Sequence, residues 1–484
     1  MTSISFPVWN LAYHHSKRLR SVAVGFRPPN ASLFVTDLLE KPERKGTMRL
    51  WTYKKGASMG SLVRMGTMLP FEEALRVVLS SARGLACERV DINHAANRVL
   101  AEDVTSDMDI PPFNKSAMDG FACRRVDLAR HADGGQAHEL QVVETIPAGA
   151  VPTRSIGPNQ CAKIMTGSVV PEGADCVVMK EFVETPAENT IRFTGQSGRD
   201  CRTDNISCKG EDVKAGQVVL SKGTLLKPHH IAILASVGCV RSLVSKRPTV
   251  GIIATGSELV DPASRPESSQ IRNSNSVQLA AQAKAMGVPA TDYGIAEDTE
   301  AAIDAMFKKA AEENDVVIIS GGVSVGDFDL VPGILKQNNV ELLFDSIAVK
   351  PGKPSVFGVV ARASSPRKHG HDGRATVYCF GLPGNPMSTF VQFEVLIKPF
   401  LYKLMGHDYK CPGVRLPLAE PIEIKAAQRL VWFPVAITEA GQVELLEYHG
   451  SAHISSLSNA DGLISVDAGV ARLEKGTLVQ VRLI

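Results

Sequence analysis

Sustained hydrophobic periodicity begins at Met68. In MLPFEEALRVVLSSA (Met68–Ala82), Phe71, Ala74, Leu75, Val78 and Leu79 fall on one helical face, and Pro70 suits a first-turn position. Farther along, three short apolar runs open into glycine-bearing turns. They are TVGIIATGSEL (Thr249–Leu259), DVVII running into SGGVSVGDFD (Ser320–Asp329), and VYCFGLPGNP (Val377–Pro386). Short apolar runs bounded by turn residues predict buried strands. Helical patterns lie between and after them, beginning near Ser274 and near Thr299 and running from about Pro386 to Met405. Strand and helix alternating at this spacing imply right-handed crossovers and a mainly parallel sheet. Ligands of such sheets sit outside the carboxyl ends of the strands. All three glycine turns stand at such ends and are expected to line one crevice.

The flanking regions follow other patterns. LQVVETIPAG, AKIMTGSVV, DCVVMKEFVE and TIRFTG alternate short strands with glycines and predict a small β-rich domain. LLKPHHIAILASVG (Leu225–Gly238) returns to helix, so the β-rich unit reads as an insertion in a partly helical first domain. The adjacent His229 and His230 are expected to be structural. After Lys410, RLVWFPVAI, VELLEY, GLISV and LVQVRL predict a C-terminal β-barrel or sandwich. The expected division is therefore 67–110 with 213–246 as a linker and helical domain, 111–212 as the β-rich domain, 247–406 as the α/β domain and 407–484 as the C-terminal β domain. ASSPRKHGHDGR (Ala363–Arg374) reads as a mobile polar hairpin insert.

Composition narrows the class. A 484-residue chain that is 44% hydrophobic can build several cores. No stretch approaches the ~20 apolar residues of a membrane span. The net charge of +2 argues against a general nucleic-acid binder. Nine scattered cysteines with no CxxC pair fit reduced thiols and a cytoplasmic protein. Residues 1–66 hold eleven Lys/Arg and three Asp/Glu, and lack sustained periodicity. They are read as a disordered extension or the product of a misplaced start codon, ahead of an organellar transit peptide.

The chemistry concentrates in SGGVSVGDFD. Gly321 and Gly322 allow close backbone approach to a ligand, and Gly326 permits a left-handed turn. Ser320 and Ser324 add hydroxyls, and a strand-to-turn junction presents N–H groups to an anion. Asp327 and Asp329 place carboxylates beside that site, which suits Mg²⁺. KPGKP (Lys350–Pro354) holds two lysines in a rigid turn suited to phosphate or another oxyanion. An ordinary strand-to-helix turn and a solvated lysine turn would look the same locally.

The chain resembles the MoeA/gephyrin E-domain family of molybdopterin molybdenumtransferases. The resemblance is carried, in family order, by MLPFEEAL, SAMDGFA, IPAG, IMTGSVVPEGADCVVMKE, KGEDVKAG, ASVG, ATGSEL, IRNSNS, SGGVSVGDFD, VKPGKP, GLPGNP, HGSAHISSL and ADGLI, over about residues 68–484. It implies an elongated homodimer of four-domain subunits whose cleft joins the α/β domain to the partner's β-rich domain. It also implies the reaction: adenylylated molybdopterin and molybdate, with Mg²⁺, give molybdenum cofactor and AMP. A molybdopterin adenylyltransferase and apo-molybdoenzymes or their chaperones become expected partners. Other readings of the same module are a gephyrin-type peptide-binding scaffold, the adenylyltransferase itself, and a tungstate-inserting variant.

Family functional positions carry over as Asp119, Thr166, Asp212, Glu258, Asp298 and Asp329, with Glu258, Asp298 and Asp329 as Mg²⁺ ligands. Ser320, Gly321, Gly322, Ser324, Gly326, Lys350, Lys353, Pro383 and Pro386 are the expected substrate-binding set. Each acid has an ordinary role open to it. Asp119 can cap a turn, Asp212 can bond a hairpin backbone, and Asp298 can cap a helix. Two departures stand out. Ser257 occupies a place where the family usually has Asp, which puts the role of that acid in doubt, and Phe121 replaces a commoner Tyr.

Overall fold

The structure is a computed structural model that describes residues 68–128, 139–194, 204–323, 330–362, 375–424 and 428–484. Ser324, Gly326, Asp327 and Asp329, the segment 1–66 and the insert 363–374 lie outside the described residues.

The α/β unit is built on a six-stranded sheet. Its order is Ala290–Ala296, Val250–Thr255, Val316–Ser320, Ala375–Leu382, Pro354–Arg362, Glu341–Ser346. The first four strands are parallel, and the last two extend the sheet as antiparallel neighbours. All residues of Val250–Thr255 and Val316–Ser320 are buried, because helices cover both faces. Val250, Ile252, Val316 and Ile318 face one core, together with Leu279 and Ala283 of the helix Asn275–Ala285. Ile253, Val317 and Ile319 face the other, with Ile303 and Phe307 of the helix Glu300–Glu313. Continuous apolar runs in the sequence thus reflect two alternating faces, each with its own core.

The run from Pro386 to Leu404 is helical throughout but not uniform. An α segment Pro386–Gln392 passes through a π turn Phe393–Ile397 into a second α segment Lys398–Leu404. Its Phe400 meets Phe357, Phe380 and Tyr378 with ring centroids 5.9, 5.4 and 4.8 Å away. The helix Phe71–Ser81 joins the same core through Ala74 and Val78, and Pro70 stands just outside it at the N-cap.

The β-rich unit is a second six-stranded sheet, ordered Cys176–Met179, Gly120–Cys123, Gln160–Ile164, Glu139–Ile146, Thr190–Phe193, Val183–Ala187. Gly120 is required there, since a Cβ would stand 1.9 Å from Val178 O. The segments before and after it pair with each other, Cys87–Asp91 with Arg241–Ser245 and Val104–Thr105 with Val218–Leu220. They share a core with the helix Pro228–Ser236. His230 ends its part there as a cap, its Nδ1 accepting from Lys227 N at 3.1 Å.

The C-terminal sheet runs Val349–Lys350, Leu430–Ile437, Gly462–Val466, Leu478–Leu483, Gly413–Pro417, with Val443–Leu445 paired to Leu430–Ile437. Its first strand comes from the α/β stretch of the chain. No helix among the described residues is long and apolar enough to cross a membrane.

Phe357 is fully buried between Phe344, Phe380 and Phe400. Phe357→Ala is expected to destabilise the chain by about 3–5 kcal/mol. A denaturant titration should show the transition moving to lower midpoint. A loss under about 1 kcal/mol would mean that this cluster is not the stabilising centre of the sheet.

Candidate active site

Parallel register brings the three glycine turns to one level. Ala254, Ser320 and Leu382 align across the Val250–Thr255, Val316–Ser320 and Ala375–Leu382 strands. The chain leaves each strand within two residues of that line. Gly321 N donates to Leu382 O at 3.0 Å, so the second and third turns abut. Gly321 has φ +104°, and a Cβ there would lie 2.3 Å from Thr255 O of the first turn. The backbone is pressed against its neighbour, and only glycine fits.

Asn275 ties the group together. From the start of its helix, its Nδ2 donates to Ser320 Oγ and to Gly384 O, both at 2.8 Å. Its Oδ1 is buried without a partner, as is Thr255 Oγ1 beneath Gly321 and Gly322. Buried polar atoms left unpaired are uncommon in folded proteins, and two at one turn mark a place where polar ligand groups fit. Pro383 O accepts from Thr389 Oγ1 at 2.7 Å, and Pro386 opens the following helix at its first position.

The acids stand in the first turn and just past the neighbouring strand Ala290–Ala296. Ser257 donates to Asp298 Oδ2 through both its N–H and its hydroxyl, at 2.7 Å each. Serine at 257 therefore removes one carboxylate and fixes another. Glu258 is exposed and its carboxylate curls over Gly256, where a Cβ would lie 2.7 Å from Oε2. Among the described residues, no group of three or more His, Cys, Asp or Glu side chains could hold a metal ion. Magnesium needs only one or two carboxylates and keeps several waters. The oxygen-only set of Glu258, Asp298 and the Ser257 hydroxyl has the right chemistry for it.

A cleft of about 370 Å³ opens beside these turns. Gly322, Val323, Pro383, Gly384 and Ser388 line it from the α/β unit. Lys350 and Lys353 line it from the KPGKP turn, and Arg429, Tyr448 and Ser451 from segments that flank strands of the C-terminal sheet. Three cations and no carboxylate line it among the described residues. Burial pushes the Tyr448 phenol up to about 12, so it keeps its proton at neutral pH. Such a wall has the chemistry to suit a multiply charged oxyanion or a phosphate.

Of the residues expected from the sequence to bind substrate, Gly322, Lys350, Lys353 and Pro383 line the cleft, while Ser320 and Gly321 stand at the adjoining turn. The sequence reading missed Asn275, Arg429, Tyr448 and Ser451. Two of these stand in stretches already quoted for the resemblance, Asn275 in IRNSNS and Ser451 in HGSAHISSL. Arg429 opens an apolar strand and carries no local signal.

The remaining predicted residues lie elsewhere. Asp119 precedes the Gly120–Cys123 strand and accepts from Thr166 N and Oγ1, both at 2.8 Å, with Lys180 Nζ at 4.0 Å. These bonds, the backbone N–H first, hold the Asp119 carboxyl below its usual range. Asp212 is exposed on a turn, where its N–H donates to Ile110 O at 3.0 Å. Among the described residues, no hydrogen bond or ion pair joins Asp119, Thr166 or Asp212 to the cleft.

Residues 69–238 match the family model of the MoeA N-terminal region (domains I and II), and residues 415–484 that of the MoeA C-terminal region (domain IV). Residues 251–403 match a probable molybdopterin-binding domain. The chain belongs to the MoeA family. Molybdopterin molybdenumtransferase of Staphylococcus epidermidis is 35% identical over 423 residues, which cover 87% of this chain and 96% of that protein. The Staphylococcus aureus enzyme of the same name is 34% identical over 417 residues, covering 85% and 95%. The crystal structure of the molybdopterin biosynthesis MoeA protein of Pyrococcus horikoshii is 30% identical, with a TM-score of 0.70 over 86% of this chain and all of that one. MoeA architecture therefore extends from the β-rich unit to the C-terminal sheet.

Thr166→Val deletes one of the two bonds that hold Asp119 ionised. The Asp119 carboxyl is expected to titrate at higher pH in that variant, followed by carbon NMR of the side-chain carboxyl. The sign follows from the lowered folded-state value. What the Asp119 bonds contribute is present above the unfolded pKa and is lost as pH falls through the folded one. An unmoved titration would mean that the hydroxyl bond does not act on the acid.

Proposed function

We propose that this chain is a molybdopterin molybdenumtransferase of molybdenum cofactor biosynthesis, taking adenylylated molybdopterin and molybdate to molybdenum cofactor and AMP. The observation that carries this reading is the cationic cleft of Lys350, Lys353 and Arg429, set against a glycine turn and beside a separate pair of acids. The substrates are a tetrahedral dianion and an AMP joined through a phosphoanhydride. Both are anionic and must come together in one place. Lys350, Lys353 and Arg429 offset that charge, with Arg429 held to Val349 O before the substrates arrive. Arg429 presents a planar fork to an oxyanion, and Tyr448 stays protonated in the same wall. The turn at Gly321 and Gly322 lets a phosphate approach the backbone. Glu258, Asp298 and Asp329 are the residues that would hold Mg²⁺, which supplies charge neutralisation at the anhydride and the leaving AMP. The displacement needs no protein nucleophile.

We assign Asp119, Thr166 and Asp212 to the same site from a partner subunit, in a cytoplasmic homodimer. The absence, among the described residues, of any hydrogen bond or ion pair from Asp119 or Thr166 to the cleft of the same chain supports this. The adenylyltransferase and scaffold readings are not favoured, since the β-rich and C-terminal regions match MoeA and relatives matched over most of the chain are named as molybdenumtransferases. Product then passes to apo-molybdoenzymes or their chaperones, with a molybdopterin adenylyltransferase as supplier. Tungstate shares molybdate's charge and shape and is tested in the same assay.

The assay is AMP release from adenylylated molybdopterin with Mg²⁺ and molybdate, followed by reconstitution of an apo-molybdoenzyme. Glu258→Gln and Asp329→Asn are each expected to lose about 10²–10³-fold in turnover, as for a lost electrostatic contact in a transition state. Arg429→Ala is expected to raise the KM for molybdate by about ten-fold or more, the worth of a charged hydrogen bond. Near-parental rates in all three would remove the crevice from the mechanism.

Subunit mixing tests the shared site. Inactive Asp119→Ala and inactive Asp329→Ala chains, exchanged into heterodimers, should regain activity at about half of their sites if each site draws on both subunits. Demonstrated exchange with no recovery would place the whole site in one chain.

A further inference from the structure

We propose that Gln392 is a positioning residue for the oxyanion site: it props the Pro351–Gly352 link and so fixes where the Lys350 and Lys353 ammoniums stand. The proposal rests on reading the cleft as the molybdate site. The helix Pro386–Gln392 begins at the turn whose Pro383 and Gly384 line the cleft, and its last residue reaches the lysine turn. One short helix therefore sets the distance between two sides of the site.

The contact is intimate. Gln392 is fully buried, and its Nε2 donates to Gly352 O at 3.3 Å. Gly352 has φ +105°, and a Cβ there would come within 2.4 Å of Gln392 Nε2. The amide fills the space that any side chain at 352 would need, so the glycine and the glutamine fit each other. Because Gly352 O can only accept, the amide nitrogen must face it. Ser355 Oγ donates to the same carbonyl at 2.9 Å from the far side of the turn.

The other half of the amide is informative. Gln392 Oε1 is buried and has no partner. A leucine of similar size would carry no such desolvation penalty, so packing alone does not account for a carboxamide at this place. The donor half accounts for it. Lys350 is held by the strand Val349–Lys350 and Lys353 is followed directly by the strand Pro354–Arg362. Only Pro351, Gly352 and Lys353 span the gap between these two supports. Gln392 holds the middle of that span. The π turn Phe393–Ile397 starts at the next residue, and π turns occur frequently at functional sites.

The test uses the full chain and molybdate alone as the probe, with affinity read by titration calorimetry. Gln392→Leu is compared in the parent and in a Lys350→Ala/Lys353→Ala background. The expected result is a roughly 10-fold weaker affinity in the parent, in the range of lost supporting contacts around a site. The KM for molybdate should rise by a similar factor and kcat should change much less. In the lysine-free background Gln392→Leu should weaken binding no further, because its effect passes through the lysines. Gln392→Asn keeps the carboxamide but is one methylene short, and it carries the same comparison should the leucine variant not fold. Undiminished molybdate affinity in the Gln392 variants, or equal loss in both backgrounds, would overturn the proposal. A double lysine variant that binds molybdate as tightly as the parent would overturn the reading of the cleft itself, and the proposal with it.

Discussion

The parallel pairing of Val349–Lys350 with Leu430–Val431 is the contact on which the site depends. Those two residues belong by sequence to the α/β stretch and by hydrogen bonding to the C-terminal sheet. Leu430 N donates to Ala348 O at 3.2 Å, and Arg429 Nη1 to Val349 O at 3.3 Å. Four residues after Lys350, the chain enters the strand Pro354–Arg362 of the other sheet. The lysine turn is thus the bridge between two sheets, and Arg429 is delivered to it by the register of the pair. The junction is supported from behind. Leu430, Trp432 and Leu463 pack into the same core as Phe357 and Phe400. Arg482 of the last strand donates to Glu394 O, and the buried Glu394 carboxylate is held by Gln282 Nε2 at 3.0 Å and Lys398 Nζ at 2.8 Å. A buried carboxylate is tolerable only when paired and hydrogen-bonded in this way.

Charge is sorted in space around that junction. The cations come from the lysine turn and the C-terminal sheet, while Glu258 and Asp298 stand at the ends of two α/β strands. Neither Glu258 nor Asp298 lines the cleft, so those acids do not neutralise the lysines. The Asp119–Thr166 pair is different again. It is held by its own hydrogen bonds and, among the described residues, shares none with the cleft. It is a preformed, exposed anionic tip rather than part of a buried network.

Much of this was legible in the sequence because it is local. Val250–Thr255 and Val316–Ser320 are buried on both faces, so they read as unbroken apolar runs. Gly321 and Gly322 were legible because only glycine meets a backbone at the range seen at Gly321 and readily takes the positive φ of both. What depends on distant pairing was not. Arg429 lies 80 residues from Val349, and nothing near it separates it from any charge at a strand end. Gln392 is one of several polar residues in a largely buried helical run, and its partner is 40 residues earlier. Ser257 shows the limit of a motif read alone. Its departure from the family pattern suggested a lost role, yet its N–H and hydroxyl both secure Asp298. Phe121 is a similar case. Its ring packs into the core of the β-rich sheet with Cys123 and Val178, so the hydroxyl it lacks is missing from a mostly buried position.

A cationic cleft alone does not choose among oxyanions. Sulfate, phosphate and molybdate are all tetrahedral and multiply charged, and Coulomb attraction to three cations serves each of them. At an effective dielectric of about 20, one unit pair 4 Å apart is worth about 4 kcal/mol, and this falls only slowly as the separation grows by tenths of an ångström. Hydrogen bonds are steeper in distance and angle. Selectivity for the larger oxyanion must therefore come from where the donors are held. Here Lys350 lies on a two-residue strand pair, Arg429 directly precedes it and Lys353 follows the propped Gly352, so the backbone that carries all three donors is held in place. On this argument, rigidity at the sheet junction is part of the recognition and not only of the fold.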